Sequence, residues 1–117
     1  MNRIKFTLEW DKLKDPQFTT IRSWNTEKEV YYRSCIGQEF SILLAKNYWD
    51  RYARKIGRAI LKGVTVVEPP RLTAESLSRD VTFNGKIQQE WYDKLIAMPK
   101  ALLLEFENCT GLLEALK

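Results

Sequence analysis

The chain has 117 residues and a mass of 13.8 kDa, the length of one domain with one core. Apolar residues make up 44% and charged residues 29%, which argues against disorder, and no run approaches the roughly 18 apolar residues of a membrane span. Net charge is +4 and histidine is absent, which excludes Ser-His-Asp and Cys-His catalysis, HExxH metalloproteases and histidine-ligated zinc or haem.

Taken in chain order, Arg3 to Trp10 opens with Ile4, Phe6 and Leu8 alternating against Arg3, Lys5 and Thr7. That is strand period, on a half-buried strand. Asp11 to Pro16 is polar and ends in Asp-Pro, which predicts a turn or a single helical turn. Gln17 to Trp24 is rich in Thr and Ile and reads as a short extended piece. Thr26-Glu27-Lys28-Glu29 is a capping box, predicting a helix from about Glu27 to Ile36 with Gly37 in the left-handed position after it.

Gln38 to Asn47 predicts a strand with Phe40, Ile42 and Leu44 on one face. Ile56 to Val67 predicts a long strand, and its Gly57 and Gly63 mark bulges or barrel corners. Tyr48 to Lys55 then joins the two strands as a basic, aromatic hairpin loop, and Pro69-Pro70 ends the second strand. Thr73 caps a short helix through about Arg79, and Asn84-Gly85 is a turn. Lys86 to Met98 carries Ile87, Trp91, Leu95 and Met98 at helical spacing. Ala101 to Asn108 is an apolar strand, and Gly111 to Lys117 forms a last helical turn. The order β, short β, α, β, β, α, α, β with glycine-bent strands predicts an α+β domain, a small closed or curled mixed β-barrel with about three flanking helices.

Charge is uneven. Met1 to Gly63 holds thirteen Lys/Arg against seven Asp/Glu, a net +6, while the remainder holds six against eight, a net −2. A basic half suggests an anionic partner, of which nucleic acid is the commonest, although a solvated basic face gives the same count. The run from Asn47 to Lys55 mixes rings with cations, a combination that stacks bases and binds phosphates. The alternative is a hairpin tip whose rings cap the core. Cys35 and Cys109 lack metal spacing and read as reduced thiols. The start, MNRIKFTLEW, has no apolar signal-peptide core, so the expected setting is cytoplasmic, with no membrane, no metal and no cofactor.

Three stretches carry a resemblance: Gln17-Phe18-Thr19-Thr20-Ile21-Arg22, then Ile36-Gly37-Gln38-Glu39-Phe40, then Gly57-Arg58-Ala59-Ile60 running into Val64-Thr65-Val66-Val67. In this order the chain resembles an ASCH domain of the PUA-like superfamily, from Ile4 to Phe106. The resemblance implies a PUA-like barrel with flanking helices, and action on RNA or modified nucleosides in a cleft beside the motif. Some members are similar to amidohydrolases of acylated cytidine, and others to nucleases. The family fingerprint is Gly-x-Lys followed by Thr residues and then Arg. Here its Gly falls on Asp15, its Lys on Gln17 and its first Thr on Phe18, while Thr20 and Arg22 match. The amidohydrolase-type members also use a downstream Glu, to which Asp80 is the nearest acid. A glutamine amide has no useful basicity to activate a threonine hydroxyl, so Gln17 points toward a binding cleft, with Lys14 as the substitute base in an enzyme.

The expected ligand-binding residues are therefore Thr20 and Arg22, with Gln17 for a base edge, Trp24 and Trp49 for stacking, and Lys14, Arg51, Arg54 and Lys55 for phosphates. Lys12 is a further candidate for phosphate contact. The expected function is binding of RNA or a nucleotide near Thr20 and Arg22. The alternatives are a nucleoside amidohydrolase or ribonuclease, and a protein-interaction adaptor.

Overall fold

The computed structural model describes residues 2–47 and 50–109. Trp49 and the tail expected to form a last helical turn lie outside the described residues. The elements are β1 (Asn2–Phe6), β2 (Gln17–Ser23), α1 (Thr26–Ser34), β3 (Glu39–Leu44), β4 (Arg54–Val67), α2 (Ala74–Asp80), β5 (Thr82–Phe83), β6 (Lys86–Ile87), α3 (Gln89–Ile96) and β7 (Ala101–Asn108). Asp11–Lys14 and Pro69–Arg71 form 3₁₀ turns.

Five strands form one mixed sheet in the order β1-β3-β4-β7-β2, curled into a half-barrel, with β5 and β6 as a separate small hairpin. The protein is thus α+β. β3 and β4 are antiparallel, as a hairpin requires, and β4 pairs with β7 and β7 with β2 in the same sense. β1 pairs in parallel with β3. Between those two strands the chain crosses to the far edge of the sheet to lay down β2, and returns through α1. The long strand β4 skips a residue of register beside Gly57 and again beside Gly63, so both glycine neighbourhoods are bulges that bend it.

The core sits in the concavity of the sheet. Phe18 from β2 stacks on Phe106 from β7 with ring centroids 5.3 Å apart, and Phe40 from β3 meets Phe106 edge-on at 5.4 Å. β3 and β7 are separated by β4, so their rings can touch only because the sheet curls. Tyr32 of α1 stacks on Phe40 at 6.2 Å and attaches that polar helix, which has no fully buried residue.

Several boundaries differ from those expected. The cap of α1 is Asn25, whose side chain accepts from the Lys28 amide; Glu29 is drawn instead to the Trp24 indole and to Arg33, so the capping box does not close. α3 begins at Gln89 because Lys86 and Ile87 pair with Phe83 and Thr82 across the Asn84-Gly85 turn. β4 begins at Arg54, before the expected Ile56. Cys35 is buried, Cys109 is half-buried, and both are free thiols. Among the described residues no helix is long and apolar enough to cross a membrane.

Phe106 is fully enclosed between Phe18 and Phe40. Phe106→Ala is expected to cost about 3–5 kcal/mol of stability in urea unfolding. A loss below about 1 kcal/mol would contradict the curled packing.

Candidate functional site

The site is built around a short turn that the fold clamps from two sides. The Asp11 carboxylate accepts from the amides of Asn84 and Gly85, at 2.9 and 2.8 Å. Those two residues have φ of 51° and 74°, the left-handed turn that points successive amides the same way. On the other side Asn108, at the end of β7, donates its amide to the carbonyls of Leu13 and Asp15. Held so, the turn sends Lys12 into the interior, where its Nζ lies 2.5 Å from Oδ1 of Asp80. Asp80 is the last residue of α2, a helix whose first turn is capped by Thr73. The Lys12 and Asp80 side chains are only 3% and 6% exposed.

Burying two charges costs several kcal/mol per ion before their attraction offsets it, so such a pair is a poor device for stability. Burial pushes the Lys12 ammonium below its ordinary value of 10.5; the ion pair and hydrogen bond with Asp80 oppose that, and Arg22 adds a smaller downward push.

β2 supplies the next layer. Alternation along this strand places Phe18, Thr20 and Arg22 on one face, and Gln17 and Thr19 on the other. Thr20 is buried, and its hydroxyl accepts from Arg22 Nε at 3.3 Å. Arg22 Nη2 donates to the carbonyl of Lys5 at 2.9 Å, and the guanidinium lies 4.7 Å from the centre of the Phe6 ring. β1 and β2 are the two edges of the half-barrel, so Arg22 bridges its open seam. Burial lowers the pKa of Arg22 and the nearby Tyr32 and Asp80 raise it, yet the group stays charged at any working pH.

Trp10 and Trp91 form an aromatic wall, edge to face at 5.7 Å. Lys94 sits 4.6 Å above the Trp91 ring. Together Trp10, Lys12, Thr20, Arg22, Asp80 and Trp91 line a cavity of about 420 Å³. That volume lies within the roughly 300–1,000 Å³ of small-molecule sites, and apolar walls with a few convergent polar groups are their usual composition.

The expected residues fall in different places. Thr20 and Arg22 line this cleft. Gln17, on the opposite face of β2, lines a separate cavity with Lys62 and Glu105. Trp24 is engaged elsewhere: its indole N–H donates to Glu29 at 2.8 Å, and Lys100 covers its ring at 3.7 Å. Lys14 is exposed at the end of the clamped turn. Arg54 and Lys55 are exposed at the start of β4, opposite Leu44 and Leu43, whereas Arg51 lines a second cavity against β1. Trp49 lies outside the described residues.

In the sequence Lys12 is a candidate for phosphate contact, Trp91 is one member of a helical stripe, and Trp10 carries no role of its own. The Lys12–Asp80 pair spans 68 residues of chain, so no local pattern announces it. The one sequence signal is that Lys12 sits between the apolar residues Trp10, two positions before it, and Leu13.

No family model, curated protein or solved structure matches this chain. The site therefore stands on its own chemistry.

Removing one partner of the buried pair strands the other charge. Lys12→Met is expected to cost about 3–5 kcal/mol in urea unfolding, and the double change Lys12→Met/Asp80→Leu to recover most of it. A single-variant loss below about 1 kcal/mol would contradict the pair. NMR of the lysine carbon-13 ε signals of uniformly labelled protein across a pH series is expected to show Lys12 titrating below 10.5. Between that lowered value and 10.5 the unfolded chain holds more protons than the folded one, so stability from this group rises with pH across the interval. Titration at or above 10.5 would overturn the assignment.

Proposed function

We propose that this is a PUA-like domain of ASCH type, and that its cleft binds the base of RNA or of a free nucleotide. The observation that carries the reading is the convergence, in one cavity of nucleoside size, of the Trp10–Trp91 wall with the Lys12–Asp80 pair and Arg22. Indole rings that meet edge to face offer a base both a ring face and a ring edge, and stacking on an aromatic ring contributes roughly 1–3 kcal/mol per base. Lys12 and Arg22 supply donors and Asp80 an acceptor for the base edge and ribose. The buried pair has a clear physical role in this reading, since a polar ligand satisfies charges that an apolar filling would make unnecessary. The curled mixed sheet and the placement of Thr20 and Arg22 in the cleft wall support the family resemblance.

A second reading is favoured by one observation. The cleft holds a lysine of lowered pKa and a threonine hydroxyl together, with Lys12 in the role that Gln17 cannot fill. A nucleoside amidohydrolase requires Lys12 first to release its own proton to water; its Nζ then takes the proton of Thr20 as Oγ attacks the acyl carbon. Lysine then returns the proton to the departing amine as the C–N bond breaks, and water cleaves the resulting ester to release the acid.

Titration of the four ribonucleosides, followed by tryptophan fluorescence, is expected to show binding of at least one. Trp91→Leu should weaken it at least tenfold with the circular dichroism spectrum unchanged. Undiminished affinity in the variant would overturn the site. Incubation with an acylated cytidine separates the two readings: turnover abolished by Thr20→Val supports the hydrolase, and intact substrate supports binding alone.

A further inference from the structure

Beside the base cleft lies another cavity, of about 510 Å³, which shares Lys5 and Arg22 with the cleft and has no tryptophan in its lining. Strand alternation on β1 puts Arg3 and Lys5 on one face, away from the buried Ile4 and Phe6. The loop between β3 and β4 brings Arg51 against them, and Arg22 reaches in from β2. Four cations thus line one concavity, from three separate parts of the chain. Tyr32 and the single carboxylate of Asp50 complete the polar lining.

Asp50 is already committed. Its two oxygens accept from the backbone amides of Lys46 and Tyr52, at 2.9 and 2.8 Å, which shapes the loop that presents Arg51. Those amides hold its carboxyl below the ordinary range, so it stays ionised and offsets only one of the four positive charges. Among the described residues Arg3 and Arg51 form no ion pair. Like charges gathered in a concave site repel one another, and a polyvalent anion removes that repulsion. Guanidinium groups match the oxygens of a phosphate in particular.

Lys5 and Arg22 line both cavities, so the two are neighbours across the seam that Arg22 bridges. We propose that the cavity of Arg3, Lys5, Arg22 and Arg51 is a phosphate subsite, and that the ligand of the cleft is a phosphorylated nucleotide unit and not a bare nucleoside. The assignment rests on the neighbouring cleft being a base site. The phosphate is either the monoester of a free nucleotide or the diester of an RNA backbone.

The test titrates wild type and an Arg3→Gln/Arg51→Gln variant by NMR with the four ribonucleosides, their 5′-monophosphates, inorganic pyrophosphate, and short single-stranded RNA. In wild type at least one monophosphate or the RNA should bind ten or more times tighter than the matching nucleoside. The variant should erase that advantage, and pyrophosphate should shift the amides of Arg3, Lys5 and Arg51 in wild type alone. Loss confined to the monophosphates identifies a free nucleotide as the phosphate source, and loss confined to RNA identifies the backbone. Equal affinity for nucleoside and nucleotide, with those amides unmoved by pyrophosphate, would overturn the subsite. If pyrophosphate binds there but no nucleoside or nucleotide occupies the cleft, the subsite stands and the base-binding reading falls.

Discussion

A lysine and an aspartate buried together set the terms for the rest of this structure. The Lys12–Asp80 pair, at 2.5 Å and almost entirely out of water, joins the turn after β1 to the end of α2. Its desolvation cost has to be offset by tight placement of both ends. That constraint accounts for the unusual care with which the turn is fixed, by Asp11 on the Asn84-Gly85 amides and by Asn108 on two of its carbonyls. The small β5–β6 hairpin takes part in this, since its left-handed turn is one of the two clamps.

Around this pair the half-barrel provides walls but leaves a seam. The sheet ends in β1 on one side and β2 on the other, and exposed strand edges are open to unwanted pairing. Arg22 spans the gap through the Lys5 carbonyl and lies over Phe6, so one residue both braces the barrel and divides two cavities. The two roles are compatible because a guanidinium has five donors, and only Nε and Nη2 are used by the protein among the described residues. On one side of Arg22 lies an aromatic cleft with an ion pair at its floor, and on the other a concavity of cations.

Much of the fold is legible in the sequence, for local reasons. β7 has the bounds that its apolar run gives, Ala101 to Asn108. Thr73 caps α2, Gly37 takes a φ of 89°, and both glycine neighbourhoods of β4 are bulged, because each depends on chemistry within a few residues. What depends on distant partners is not legible. The parallel pairing of β1 with β3 follows from the crossover of the chain. The capping box at Thr26 fails for a local reason that its motif does not contain, since Trp24 and Arg33 compete for Glu29. The site shows the same division. Strand alternation already separates Gln17 from Thr20 and Arg22, but only the folded chain brings Lys12 to Asp80 and Trp10 to Trp91.

If the cleft between Trp10 and Trp91 receives a base, as proposed, the tryptophans themselves report on it. Indole N–H resonances recorded in a nitrogen-15 NMR titration with the four ribonucleosides test this most directly. At least one nucleoside is expected to shift the Trp10 and Trp91 signals together while Trp24, held by Glu29 and Lys100, stays in place. Shifts at Trp24 without change at Trp10 and Trp91, or no shift at either cleft tryptophan with any nucleoside, would contradict it.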